Sequence, residues 1–239
     1  MIPFSIIPVL DLKEGAVVHA RGGDRARYAP VRSSLGAGSD VFALAEALLS
    51  LTRSRALYIA DLDAIEGRGH HRDIIAGLAK RCPKVELWVD EGVAVPAAAI
   101  ASARGGVIPV LGSESLAAAE TVGEISLQLG SRGCVLSLDY RGERFLGPPA
   151  LETRAELWPD RVIVMSLSRV GTSGGPDFER LLGTRENAGD RRVFAAGGVR
   201  DRADIDRLAA AGISGALVAT ALHEGRLSGD VLAEFAGER

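Results

Sequence analysis

Two aspartates, Asp11 and Asp139, each follow a run of mostly branched apolar residues, IIPVL before the first and CVLSL before the second. Carboxylates at opposed strand ends can divide general-acid and general-base work when their surroundings separate their pKa values. They can equally cap loops or pair with Lys13 and Arg141 nearby. A second pattern is Gly197-Gly198, followed through Val199 by a helix opening at Asp201. Small residues there let backbone N–H groups approach an anion, helped by the positive end of the helix. The segment ATALHEG opens another helix with Thr220 at its start. Together these segments suit a phosphate, although paired glycines also make ordinary turns. His70-His71 has no third ligand at helical spacing and reads as a solvated helix start, so no metal site is expected.

The elements that must position these residues alternate along the whole chain. Apolar runs at 6–10, 56–60, 85–89, 107–111, 133–138, 161–167, 192–196 and 215–219 lack two-residue alternation, as parallel strands covered on both faces do. Helical patterns occupy 40–55, 70–81, 95–104, 115–129, 149–157, 177–183, 201–212 and 221–235. Eight β-then-α units in 239 residues point to a TIM (β/α)8 barrel forming a single domain over 1–239, with an open doubly wound sheet as the competing arrangement. In a barrel the βα loops at the C-terminal strand ends carry the chemistry. Asp11, Asp61, Asp90, Asp139, Ser166, Gly197 and Thr220 are all expected to ring that mouth. The long first βα connection, 12–39, holds Arg21, Arg25, Arg27 and Arg32. It reads either as a lid over an anionic substrate or as a solvated surface loop.

The chain also looks written twice. VELWVDEGV has a counterpart in VFAAGGV, and VIPVLGSESL in ALVATALHEG, with offsets of 198 − 92 = 106 and 220 − 113 = 107. This implies an internal two-fold half-barrel repeat, with Asp11 and Asp139 as equivalent positions. A net charge of −3 and a 25% charged fraction argue against a nucleic-acid surface. Cys82 and Cys134 have neither metal-type spacing nor a CxxC pair, which fits reduced thiols in a cytoplasmic protein. The apolar start MIPFSIIPVL runs straight into charged residues and reads as a strand rather than a signal peptide; no stretch is long enough for a bilayer.

IPVLDLKEGAVV, LYIADLDAIEGRG, SLDYRGERF, SRVGTSGGPD, AAGGV and VATALHEG, in this order, resemble the HisA/HisF family of histidine-biosynthesis barrels. The resemblance spans essentially the whole chain and is closer to the isomerase branch, through LDLKEG and ALHEG. That branch performs an Amadori rearrangement of a substrate with a phosphate at each end, without cofactor or metal. One acid opens the ribose ring and one base removes the C2 proton. The resemblance implies catalytic roles for Asp11 and Asp139 and a phosphate site at Gly197, Gly198, Ala219 and Thr220. It also carries an association with paralogues in organisms using tetrahydromethanopterin-linked one-carbon metabolism.

The departures are informative. After the sixth strand the isomerase pattern Thr-Asp-Ile-Ser-Arg-Asp-Gly is replaced by Met165-Ser166-Leu167-Ser168-Arg169-Val170-Gly171, so the aspartate expected at Val170 is absent. After the third strand, Gly-Gly-Gly-Ile-Arg is replaced by Val89-Asp90-Glu91-Gly92-Val93. An uncompensated carboxylate against a phosphate costs on the order of a few kcal/mol at an effective dielectric near 20. The first-half phosphate site is therefore expected to be lost, although Gly112-Ser113 remains.

The sequence thus favours a diverged enzyme, an isomerase or related lyase acting on a small phosphorylated, amine-bearing substrate. Its further contacts are expected among Asp61, Asp90, Glu91, Ser113, Ser166, Ser168 and Arg21. The alternatives are the isomerase of histidine biosynthesis itself, with Ser166 or Ser168 covering for missing groups, and a non-catalytic phosphoryl-ligand-binding or assembly protein.

Overall fold

The computed structural model describes residues 4–36, 38–172 and 174–235. Each apolar run forms a strand whose alternate side chains face opposite ways. The barrel strands are β1 (Ser5–Lys13), β2 (Ala56–Asp61), β3 (Glu86–Asp90), β4 (Ile108–Gly112), β5 (Val135–Arg141), β6 (Arg161–Ser166), β7 (Arg192–Ala196) and β8 (Gly215–Val218). They pair in parallel in chain order, and β8 closes on β1 from Ser5↔Gly215 to Pro8↔Val218. The result is a TIM (β/α)8 barrel with helices between the strands.

The absence of two-residue alternation in the sequence has a direct cause: both faces of each strand are buried. Leu57 and Ile59 belong to the layer between strands and helices, whereas Ala56, Tyr58 and Ala60 fill the barrel interior. The same division separates Leu87 and Val89 from Trp88, and Val193 and Ala195 from Phe194 and Ala196. Counting in twos from these interior residues places Asp11, Asp90, Gly112, Asp139 and Met165 at the C-terminal end.

β1 runs three residues past its expected end. It turns at Glu14 and Gly15, both with positive φ, into an antiparallel strand Ala16–His19, which Ala29–Pro30 extends. The first connection is therefore partly a β-hairpin structure rather than one long loop. Several helix starts are capped by a carboxylate or a hydroxyl: Asp40 accepts from the Ala43 amide at 2.7 Å, and Asp177, Asp201 and Ser228 act likewise. The last helical pattern, 221–235, is broken into Thr220–His223 and Gly229–Ala233, with Gly225 at positive φ between them. Similarly 149–157 divides into Ala150–Thr153 and a 3-10 turn at Ala155–Leu157.

His71 departs from the expected solvated helix start: it is 8% exposed. Its Nε2 accepts the Gly15 amide at 2.9 Å, which leaves the Nδ1 proton for Asp61 Oδ1 at 2.8 Å. This ties the β1 turn to the loop after β2. Among the described residues, no helix is long and apolar enough to cross a membrane.

Candidate active site

The C-terminal mouth of the barrel holds a cavity with about 870 Å3 of empty space, part of it open to solvent. Asp11, Asp90 and Asp139 line it, as do Gly197, Gly198, Ala219 and Thr220. The three aspartates come from β1, β3 and β5, each at an interior-facing position. Gly112 on β4 lies between two of them. A Cβ added there would sit 3.3 Å from Asp90 Oδ2 and 3.4 Å from Asp139 Oδ2, so the missing side chain leaves room for both carboxylates.

Asp139 is the most firmly held. Its carboxylate accepts from Ser137 Oγ at 2.7 Å and from the Glu114 amide at 3.2 Å. Ser113 Oγ donates to the Leu146 carbonyl at 2.6 Å and accepts the Asp139 amide at 2.9 Å, fixing the backbone at that point. Burial, reinforced by the charge of Asp90, pushes the Asp139 carboxyl up to about 7 against the opposing pull of Ser137 and the Glu114 amide. Asp11 reaches about 7 through burial, with Arg25 pulling the other way. Asp90 reaches about 6, again through burial, while the Gly92 amide, Arg25 and Tyr58 favour its ionised form. Tyr58 donates to Asp90 Oδ2 at 3.3 Å. Burial and the three aspartates hold its phenol well above the ordinary range, so it stays a neutral donor.

Neither Asp11 nor Asp139 pairs with Lys13 or Arg141 among the described residues. Lys13 donates instead to the Arg25 carbonyl at 3.1 Å. Arg25 is the cation of the site: it lines the cavity and forms an ion pair with Glu114, itself a lining residue. Asp90 is therefore not uncompensated, because an arginine from the first connection acts on it through space.

The other expected substrate contacts lie elsewhere. Asp61 is fully buried, accepting from Ala64 N, His71 N and the His71 ring. Glu91 is 3.9 Å from the Arg72 guanidinium, and Ser113 is engaged as above. Ser166 is buried beside the interior-facing Met165; Ser168 is exposed and accepts the Gly142 amide at 3.2 Å. Arg21 is exposed. None of these six lines the cavity. Leu167 and Val170 do line it, so the departures after β6 fall within the site.

Gly197 and Gly198, which also line the cavity, have φ of +95° and +84°. Added Cβ atoms would approach Ser166 O to 2.6 Å and Gly175 O to 2.2 Å, so close backbone packing alone demands glycine at both positions. The helix beyond them, Arg202–Ala210, does not offer a free N-terminus. Asp201 accepts the Asp204 amide at 3.1 Å, and Asp204 accepts Arg200 N at 3.0 Å. Any anion there relies on the glycine backbone and Thr220. His19 Nε2 lies 3.0 Å from Thr220 Oγ1, and burial, with Arg21, lowers its pKa. Arg25, Tyr58, Glu114 and His19 are the site or site-adjacent residues that the sequence did not single out. The arginine-rich first connection was the available signal for Arg25; the others carry none.

A family model described as histidine biosynthesis protein matches residues 5–228. A Rubrobacter xylanophilus protein, named as an isomerase of a bis-phosphoribosyl imidazole-4-carboxamide, is 32% identical over 249 residues, covering 98% of both chains. Streptomyces coelicolor phosphoribosyl isomerase A is 30% identical, covering 93% of this chain and 94% of the relative. An uncharacterized protein of Methanocaldococcus jannaschii is also 30% identical, with the same coverage.

Proposed function

Starting from a chain that belongs to the histidine biosynthesis protein family, we propose an isomerase or related lyase acting on a small phosphorylated amino-sugar by proton transfer between two aspartates. Asp11 and Asp139 are the catalytic pair, and Gly197, Gly198, Ala219 and Thr220 hold the phosphate. One observation carries the reading: both aspartates border the same cavity as the glycine–threonine segment, with carboxyls near neutrality. Near pH 7 each carboxyl populates both its protonated and its ionised form, so one can serve as acid and the other as base.

In an aldose-to-ketose rearrangement, the acid protonates the ring oxygen as the C1–O bond opens and the amine nitrogen forms C=N with C1. The carboxylate then removes the C2 proton. Protonation of C1, with loss of the C2 hydroxyl proton to form the C2 carbonyl, gives the aminoketose, with no atom gained or lost. Tyr58 and Asp90 supply a donor and an acceptor for the substrate's amine or hydroxyls. A phosphate anchored at Gly197, Gly198, Ala219 and Thr220 holds the sugar within reach of the two carboxyls.

Asp90 at the other candidate phosphate position and Val170 in the cavity wall support a substrate different from that of the imidazole-carboxamide isomerases. We place the reaction in tetrahydromethanopterin-linked one-carbon metabolism, the context the family resemblance offers. A deletion strain with an unchanged pool of that pterin contradicts the placement. For the chemistry, Asp11→Asn and Asp139→Asn should each abolish turnover while a sugar phosphate still binds. Wild-type turnover in both variants overturns the assignment.

The second reading, the isomerase of histidine biosynthesis, draws on 32% identity across the full length. Ser166 and Ser168, on which it would depend, do not line the cavity. Rescue of a histidine auxotroph lacking that isomerase decides for it; failure with soluble protein decides against it.

A further inference from the structure

At the other end of the barrel, β6 and β7 present two arginines at directly paired positions, Arg161 and Arg192. Other interior-facing positions at this end carry Ser5 on β1, Ala56 on β2, Glu86 on β3 and Gly215 on β8, and the three small residues among them leave part of the barrel floor open. An open cavity of about 1630 Å3, including space continuous with solvent, lies there. Its inner wall is aromatic: Trp88 and Phe194 meet edge-to-face at 5.2 Å, with Arg161 over one ring and Arg192 over the other.

The charges do not balance. Among the described residues, five cationic side chains and three carboxylates line the cavity. Arg161 is 7% exposed and bonds Glu86 Oε2 at 2.6 Å and the Arg132 carbonyl. Glu86 Oε2 also accepts from Trp88 Nε1 at 3.0 Å. Asp160 pairs with Arg132. Arg192 is half-buried, and among the described residues no carboxylate lies within 4 Å of it; its one side-chain hydrogen bond goes to Ser5 Oγ at 3.3 Å. The Nε atoms of both Arg161 and Arg192 are buried without an acceptor. Two like charges side by side across a strand pair repel, and a buried guanidinium without a counter-charge is costly.

We infer that this basal cavity binds a phosphate-type oxyanion between Arg161 and Arg192, at a site distinct from the catalytic mouth. Glu86 acts on Arg192 only through space, and the oxyanion supplies the contacting counter-charge that Arg192 lacks, with a geometry that the guanidinium fork matches. Lys84 and Arg55 on the rim add to the attraction. The ligand is either inorganic phosphate or the phosphate group of a small metabolite, with the aromatic wall beside it. The assignment stands independently of the proposed reaction.

The test is titration calorimetry of the full chain with inorganic phosphate and, separately, ribose 5-phosphate, at ionic strength fixed with sodium chloride. Wild type is compared with Arg192→Gln, Arg192→Lys and the mouth variant Thr220→Glu. Arg192→Gln should weaken the basal binding event at least tenfold, Arg192→Lys should weaken it less, and Thr220→Glu should leave it intact. Saturation by inorganic phosphate alone identifies the free ion, and tighter binding of ribose 5-phosphate identifies a metabolite. If Arg192→Gln does not fold, Arg192→Lys in the Thr220→Glu background carries the comparison. Phosphate binding unchanged in the Arg192 variants, or abolished by Thr220→Glu, overturns the inference, as does an equal effect of chloride.

Discussion

Asp139→Asn should remove turnover and yet leave the protein more stable in alkaline solution. The carboxyl of Asp139 is 5% exposed and is raised from 3.8 to about 7 in the folded chain. Between those two pH values the folded state holds a proton that the unfolded state has released. Stability contributed by this group therefore falls as pH rises through the window, and is constant below 3.8 and above 7. At about 1.4 kcal/mol per pH unit, ionising Asp139 in place costs roughly 4 kcal/mol by pH 8. Asparagine escapes that cost but loses an acceptor for either Ser137 Oγ or the Glu114 amide, about 1–2 kcal/mol. The variant should be less stable than wild type by about 1–2 kcal/mol at pH 4 and more stable by about 2 kcal/mol at pH 8, so the two curves cross. Asp11 keeps its own pH dependence in both proteins, and the difference between the curves reports Asp139 together with its coupling to Asp90. Urea unfolding at half-unit intervals from pH 4 to 8.5 measures it. Parallel curves for the two proteins would falsify the reasoning.

Further outcomes follow from single contacts. Arg25→Met removes the charge that favours ionised Asp11 and Asp90, so both should titrate at higher pH and the acid limb of any pH–rate profile should move upward; an unmoved limb contradicts the role given to Arg25. Gly198→Ala forces a side chain at φ +84° to within 2.2 Å of Gly175 O and should cost about 2 kcal/mol or more in urea unfolding, whatever the ligand. His71→Ala leaves the fully buried Asp61 without its ring partner and should cost about 3 kcal/mol. A change in phosphate affinity in that variant would show that the Asp61–His71 pair also serves the mouth.

The barrel was legible because eight apolar runs recur at intervals that each leave room for one helix, and because charged or small residues follow them. Which strand-end residues enter the cavity was less legible. Asp61 and Asp139 look alike in sequence, since each closes an apolar run. They differ in phase: Asp139 shares its face with Val135 and Ser137, whereas Asp61 shares its face with the outward-facing Leu57 and Ile59. With both faces buried and apolar, sequence does not mark which phase is interior. Ser113 and Ser166 each follow an interior-facing residue, Gly112 and Met165, and so turn away from the cavity. Arg25 and Glu114 meet across 89 residues of chain, and that proximity depends on how the first connection folds over the mouth. Asp90 illustrates the converse. The sequence shows an acidic residue where the family pattern has glycine, but the through-space action of Arg25 on it is a tertiary effect.

The account turns on Asp11 and Asp139 being poised near neutrality in a single cavity. Carbon-detected NMR of the aspartate carboxyls, assigned with Asp11→Asn and Asp139→Asn, follows each group directly from pH 4 to 9. Midpoints close to 7 for both groups are the predicted result. Midpoints below 5 for both, the ordinary range of solvated carboxylates, would contradict carboxyls poised near neutrality and with them the acid–base pair.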